Sequence, residues 1–185
     1  MKIAYIAETL ITNKSAYTHH VLKMCDAFSN KHDVCLMIPS KNGSLSFKNL
    51  KNNYLFTSKK NFFIKGILKF KISNFVYRIF FGYKVAKDIK KKYYDIIITR
   101  SLLSSFFLSL FKINHFLEIH SEIKGLSNFL INNLNFINSN YIYKVIFISN
   151  ALRKNFSNID NKKTLVLHDA IDIKNFKKSA TKKKD

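Results

Sequence analysis

The chain has 185 residues, of which 47% are hydrophobic, and its formal net charge is +21. This length suits one domain with a buried core rather than two large domains, and the many Phe and Ile residues exclude a disordered chain. Lysine carries nearly all of the positive charge, which favours an anionic membrane surface over nucleic acid as a partner, because nucleic-acid recognition prefers arginine.

The cysteines and the N-terminal segment bear on the compartment in which the protein works. Cys25 and Cys35 form no disulfide or metal-binding motif, and we expect them to be small buried side chains. The first residues, MKIAYIAETL, carry Glu8 within an apolar run and do not resemble a signal peptide. No apolar run approaches the length that spans a bilayer. We therefore expect a cytoplasmic protein, either soluble or peripheral on the inner face of the cell membrane.

Short apolar runs alternate along the chain with segments of helical length. The predicted strands are 2–8, 33–39, 54–57, 95–99, 115–120, 144–149 and 164–169. The predicted helices are 16–30, 75–92, 101–112, 126–138 and 150–158. Most of the strands are continuously apolar, which is typical of strands covered on both faces. Strands alternating with helices predict parallel βαβ units, so the expected fold class is α/β with a doubly wound, Rossmann-like parallel sheet.

Polar side chains follow the predicted strands at their carboxyl ends, which is the edge where doubly wound sheets bind ligands. They are Glu8, Thr9, Arg100, Ser101, Glu118, His120, Ser149, Asn150, His168 and Asp169. Glu118 and His120 are two positions apart on a strand and therefore point to the same side. The carboxylate can orient the imidazole or raise its pKa. Two explanations stand: these residues form a binding site, or strand ends are polar because they meet water.

Six segments carry a resemblance to a known family. They are KIAYIAE, THHVLKMCDAFSNKHDVCLMIP, KKYYDIIITRS, FLEIHS, VIFISNALRKNF and TLVLHDAIDIKNF. Their order and spacing resemble the N-terminal, acceptor-side domain of GT-B fold glycosyltransferases, in particular the retaining enzymes of family 4. The resemblance covers residues 1–176 and leaves 177–185 as a lysine-rich tail that we expect to be disordered.

The resemblance implies an activity and a set of residue roles. A sugar would pass from a nucleotide-sugar donor to a polysaccharide or lipid-linked acceptor. His120 would contact the acceptor and the donor sugar near the reacting carbon, and Glu118 would support it. The implied acceptor-binding residues are Arg100, Ser101, Glu8, Thr9, Ser15 and His19. The implied rim toward a second domain consists of Ser149, Asn150 and Asp172.

Two departures from the family pattern affect what the chain can do alone. The segment ETLITNKSAY has no glycine, whereas the family usually has a Gly-Gly loop near the donor phosphates. The resemblance stops near residue 176, so we expect the donor-binding domain to be missing from this chain. It would then be half an enzyme, either from a truncated gene or as one chain of a split transferase with a separate donor-domain chain. We expect this domain to bind no cofactor, and the nucleotide sugar to bind only in the complete enzyme.

Residues 59–92 form a basic stretch with eleven Lys or Arg residues and a single acid, Asp88. Phe, Ile and Leu are interleaved, which is typical of a helix at a membrane interface. The predicted membrane contacts are Lys59, Lys60, Lys65, Lys69 and Lys71, with Gly66 and Gly82 dividing the stretch. The alternative for this stretch is a core helix with a solvated lysine face. For the chain as a whole, a genome with AT-rich codons would also explain the excess of lysine.

The sequence also bears on other functions and on metal binding. The same fold could serve as a non-catalytic membrane- or glycan-binding module. A dinucleotide-binding oxidoreductase is a third hypothesis, but no G-x-G-x-x-G follows the first strand. His32, His115 and His168 show no metal-ligand spacing, so we expect this domain to bind no metal.

Overall fold

The computed structural model describes residues 1–9, 15–39, 61–67, 75–123, 136–156 and 158–168. Within these residues, seven strands form one sheet: β1 (Lys2–Ile6), β2 (Asp33–Pro39), β3 (Phe62–Ile67), β4 (Ile96–Thr99), β5 (His115–Ile119), β6 (Ile142–Phe147) and β7 (Thr164–Val166). Their order is β3-β2-β1-β4-β5-β6-β7, and every neighbouring pair is parallel. The predicted α/β class with a doubly wound parallel sheet is confirmed.

The same parts of the chain contain α-helices at four places: α1 (Ala16–Ser29), α2 (Phe75–Lys90), α3 (Leu102–Leu110) and α4 (Asn150–Lys154). Short 3₁₀ helices cover Phe136–Asn138 and Asn161–Lys163. None of the helices in the described ranges is long and apolar enough to cross a membrane.

The central strand β1 shows why the strands are apolar at every position. Tyr5 packs in one cluster with Val21 and Leu22 of α1. Its neighbours Ala4 and Ile6 pack on the other face, in a cluster that includes residues of α2 and α3. Because successive side chains of a strand point to opposite faces, a strand between two helical layers has no polar face.

The close contact between α2 and α3 depends on Gly82. A Cβ atom added to this glycine would lie 2.9 Å from both the carbonyl carbon and the carbonyl oxygen of Leu103. Only a residue without a side chain permits this approach of the two backbones. Gly82 therefore lies within one continuous helix, and the expectation that it divides the basic stretch is wrong.

The basic stretch also contains a strand that the sequence patterns did not indicate. Phe62–Ile67 forms the edge strand β3, which pairs only with β2 within the described residues. Lys65 and Gly66 interrupt its apolar pattern, and edge strands tolerate such residues. Lys65 forms an ion pair with Asp88 of α2. The described parts of the stretch are therefore a strand and a helix, and not a single basic helix.

Several predictions fall outside the described residues. They concern the strand 54–57, Lys59, Lys60, Lys69, Lys71, Asp169, Asp172, the domain boundary at 176 and the tail 177–185. Most of the predicted helix 126–138 also lies outside, and its last three residues form the 3₁₀ helix Phe136–Asn138.

The order of strands creates a switch point beside β1. The chain runs outward from β1 to β3 and then returns to β4 on the other side of β1. Just beyond these strands, the backbone N–H of Arg100 donates to the carbonyl of Ile6 at 2.9 Å, and that of Ala7 donates to Met37 at 3.1 Å. The chain leaving β1 then enters α1 on one face of the sheet, whereas the chain leaving β4 enters α3 on the other face. Doubly wound folds form their ligand crevice where two such segments separate.

Candidate functional site

A hydrogen-bonded chain of three side chains lies at the carboxyl edge of the sheet. The Tyr5 hydroxyl donates to Glu118 Oε2 at 2.7 Å, and His120 Nε2 donates to Glu118 Oε1. The strand register explains why Tyr5 contacts Glu118. Tyr5 is paired with Ile98 of β4, and Ile98 is paired with Phe116 of β5. Glu118 lies two positions beyond Phe116 and therefore shares the face of Tyr5.

Glu118 is a buried carboxylate that remains ionised. Its residue is only 8% exposed. Burial by itself raises the pKa of this carboxyl group, but the hydrogen bonds from His120 and Tyr5 and the charge of Arg100 outweigh it, so the pKa lies below its ordinary value. The carboxylate is therefore a fixed negative charge that orients the largely buried imidazole of His120, as the spacing of the two residues predicted.

Arg100 and His20 complete the cluster from β4 and α1. Arg100 Nη1 donates to His20 Nδ1 at 2.9 Å, and its guanidinium carbon lies 4.4 Å from the centre of the Tyr17 ring. The rings of His20 and His120 are 5.0 Å apart between centroids. Arg100 thus lies beside the Glu118–His120 pair, as expected for a strand-end residue at this edge.

The histidine that α1 brings to the cluster is His20, whereas the predicted acceptor-binding residue was His19. His19 is exposed, and its role stays a prediction. The helical spacing contained a signal for this choice, because His20 lies three positions after Tyr17 and Val21 lies four positions after it, on the same side of the helix. His19 lies on the opposite side from the buried residues Val21 and Cys25.

Glu8 and Ser101 form a second, mainly structural group. Arg78 Nε of α2 donates to Glu8 Oε2 at 2.5 Å, and the Ser101 hydroxyl donates to Glu8 Oε1. The Ser101 side chain also accepts from the backbone N–H of Ser104 at 3.0 Å and so caps α3. Glu8 therefore links the end of β1 to both α2 and α3, and the contribution of Arg78 was not apparent from the sequence.

Thr9 and Ser15 lie at the start of α1 rather than in the carboxylate–imidazole cluster. The hydroxyl oxygen of Thr18 lies 2.5 Å from that of Thr9 and 2.9 Å from that of Ser15. Ser15 caps α1 by accepting from the backbone N–H of Thr18 at 3.2 Å. Their predicted contact with an acceptor remains a prediction.

Ser149 and Asn150 follow β6 at the same edge of the sheet. Ser149 caps α4 and accepts from the backbone N–H of Leu152 at 3.1 Å, while Asn150 is exposed. Their place at a rim that faces a second domain stays a prediction. Asp172, the third predicted rim residue, lies outside them.

A cavity of about 260 Å³ opens beside the cluster. Its walls are formed by Tyr17, Arg78, Arg100, Leu102, Glu118, Ile119, His120, Ser121, Glu122 and Ile123. A second cavity of about 290 Å³ lies at the opposite edge of the sheet, between the segments that precede β4 and β5, and is lined by residues such as Tyr93, Asp95 and Asn114. The first cavity is the candidate site, because only it contains the ionised carboxylate beside an imidazole.

The histidines that were considered for metal spacing lie elsewhere. His115 is fully buried at the start of β5, donates from Nδ1 to the Ile113 carbonyl at 2.8 Å, and accepts at Nε2 from the Ser105 hydroxyl at 2.7 Å. Burial lowers its pKa to about 4. A different group, His20, Glu118 and His120, has ligand atoms within 4.8 Å of one another. The expected absence of a metal remains untested.

Two solved structures with a similar fold are glycosyltransferases. One is a glycosyltransferase from Rickettsia africae ESF-5, with a TM-score of 0.65 and 17% identity over 96% of this chain and 45% of that chain. Another is the lipopolysaccharide outer core galactosyltransferase WaaB in its apo form, with a TM-score of 0.59 and 14% identity over 94% of this chain and 47% of that one. The chain has a glycosyltransferase-like fold of the GT-B type.

The likeness concerns the fold, since both identities are low. The chain spans about half the length of the solved glycosyltransferases it matches. No protein-family model matches the sequence. No curated protein matches it either.

Proposed function

We propose that this chain is the acceptor-binding domain of a retaining glycosyltransferase of the family 4 type. It would serve the transfer of a sugar from a nucleotide-sugar donor to a polysaccharide or lipid-linked acceptor. The observation that carries this proposal is the Tyr5–Glu118–His120 chain beside a cavity at the switch-point edge. A fold shared with glycosyltransferases supports it.

In this proposal, His120 is the group that meets the reacting sugars. The ionised Glu118 carboxylate accepts a hydrogen bond from His120 Nε2 and so fixes the orientation of the imidazole ring. An imidazole held in this way can accept a hydrogen bond or a proton from a sugar hydroxyl when it is neutral. Positioned groups of this kind contribute about 10²- to 10⁴-fold to a rate. Tyr5 fixes the other carboxylate oxygen and is a positioning residue.

The donor-binding half is proposed to come from outside residues 1–185, either in a continuous polypeptide or in a separate donor-domain chain. Support comes from the two similar structures, of whose chains this one covers 45% and 47%. The nucleotide sugar would then bind between the halves, and Ser149 and Asn150 would lie at the rim that faces the second half.

The decisive experiment measures sugar transfer with a set of labelled sugar nucleotides, using the chain together with its donor half. We expect His120→Ala to lower the rate by about 100-fold or more. The matched control is His32→Ala, because His32 directly precedes β2 at the opposite edge of the sheet. An unchanged rate in His120→Ala would refute the role assigned to this residue.

A non-catalytic membrane- or glycan-binding module is the alternative function. It predicts that the chain retains glycans or vesicles while no combination of donor, acceptor and donor half gives turnover. Binding without turnover would therefore favour the module over the transferase.

We further propose that α2 contacts an anionic membrane surface. Its exposed side carries Val76, Phe80 and Tyr83, which are 53%, 56% and 40% exposed. The exposed lysines Lys84 and Lys87 follow at helical spacing on the same side. Apolar side chains beside lysines match the chemistry of anionic headgroups over acyl chains. Lys65, one of the predicted membrane contacts, forms an ion pair with Asp88 of α2.

The membrane proposal is tested by sedimentation with vesicles that contain or lack phosphatidylglycerol. Each lysine near an anionic surface is worth about 1 kcal/mol, so the double variant Lys84→Glu and Lys87→Glu should weaken binding by about 30-fold or more. The control makes the same change of charge at the exposed residues Lys31 and Lys154. A specific role of α2 would be contradicted if both double variants lost the same amount of vesicle binding. It would also be contradicted if the unmodified chain bound neutral and anionic vesicles equally well.

A further inference from the structure

We propose that His20, Glu118 and His120 form a binding site for a divalent cation of the Zn²⁺ type. The inference does not depend on the proposed transferase activity, although it concerns the same edge of the sheet. The three residues come from α1, from β5 and from the position just after β5. Their ligand atoms all lie within 4.8 Å of one another.

The donor set indicates the class of metal. Two imidazole nitrogens and one carboxylate oxygen are ligands that Zn²⁺ and similar first-row ions prefer, and Ca²⁺ or Mg²⁺ would require more oxygen atoms. Ligands at about 2.1 Å from a tetrahedral ion lie about 3.4 Å from one another. No pair of the three ligand atoms is more than 4.8 Å apart, so each pair exceeds that tetrahedral separation by at most about 1.4 Å.

Tyr5 supplies the support that such sites usually have. Its fully buried hydroxyl holds Glu118 Oε2 at 2.7 Å, so Oε1 is the oxygen turned toward the histidines. Hydrogen bonds of this kind to a ligating carboxylate commonly set its orientation and strengthen metal binding. The cavity of about 260 Å³ beside Glu118 and His120 gives access from solvent and room for a fourth ligand such as water.

Arg100 is the natural competitor for the cation. Its Nη1 donates to His20 Nδ1 at 2.9 Å. A metal bound at His20 Nδ1 would use the lone pair that now accepts the hydrogen bond from Arg100. A metal bound at Nε2 would require the ring proton to be on Nδ1, and this N–H would then face the N–H of the guanidinium. The cation and the Arg100 hydrogen bond are therefore alternative partners of His20. A bound cation would also occupy His120 and hence block the proposed transfer reaction.

The test titrates the full chain, without an affinity tag, with Co²⁺ as a visible probe and with Zn²⁺ in competition. We expect one Co²⁺ per chain, with the absorption bands of a four-coordinate ion. His20→Ala should weaken binding about tenfold or more. Arg100→Gln should strengthen binding, because it removes both the competing hydrogen bond and a positive charge. His32→Ala is the histidine control.

The outcomes separate this inference from the proposed function. Equal Co²⁺ affinity in His20→Ala and the unmodified chain would overturn the site, as would failure of the chain to bind Co²⁺. His20 lies at the half-exposed side of α1, so circular dichroism of His20→Ala should show an intact fold. Transfer assays that contain a chelator measure sugar transfer in the absence of metal. The cation site and the transferase function are therefore tested independently of each other.

Discussion

Protonation of His115 should make the protein markedly less stable in mild acid. The residue is fully buried, and burial lowers its pKa from 6.5 to about 4. Because this pKa is depressed in the folded state, the unfolded chain takes up the proton at a higher pH than the folded protein does. The contribution of neutral His115 to the free energy of unfolding is therefore complete above pH 6.5 and is lost as the pH falls toward 4. Between pH 7 and pH 5 this one group should reduce the free energy of unfolding by about 2 kcal/mol, and below pH 4 by about 3 kcal/mol.

The measurement is urea unfolding, followed by far-ultraviolet circular dichroism, at pH 7 and pH 5. The variant His115→Asn retains a donor for the Ile113 carbonyl and has no imidazole to titrate. Its stability at pH 7 will be lower because of lost packing, but the difference between the two pH values should shrink by about 2 kcal/mol. The exposed residue His168 serves as the control in His168→Asn. An unchanged pH difference in His115→Asn would refute the reasoning.

Three further substitutions test the framework around the site, each by urea unfolding at pH 7. Gly82→Ala should lower the free energy of unfolding by about 1–3 kcal/mol, because the new Cβ meets the backbone of Leu103, and a gain in stability would contradict the close contact. Ser101→Ala should cost about 1 kcal/mol, because α3 loses its cap; no loss would show that the cap is unimportant. Tyr5→Phe keeps the ring but removes a hydrogen bond to a buried carboxylate, so we expect a loss of about 2 kcal/mol; a neutral result would mean that Glu118 finds another donor.

Much of the fold follows from local patterns. Continuous apolar runs such as 33–39 predict strands covered on both faces, and β2 has these bounds. The strand β3 was missed because Lys65 and Gly66 break its pattern and the strand lies at the sheet edge. Gly82 was misinterpreted for a related reason: its role depends on the neighbouring helix α3, which contributes no signal to the local sequence around residue 82.

Within the site, the sequence by itself determined that Glu118 and His120 share a strand face, because side chains alternate with a period of two. It also predicted the edge where they lie, because parallel strands end together. It likewise placed Arg100 at that edge, whereas only the tertiary structure decided that Tyr5 and His20 are partners of the pair. Those contacts depend on the register between strands and on which side of α1 faces the sheet. Both are set by packing between elements that lie far apart in the chain.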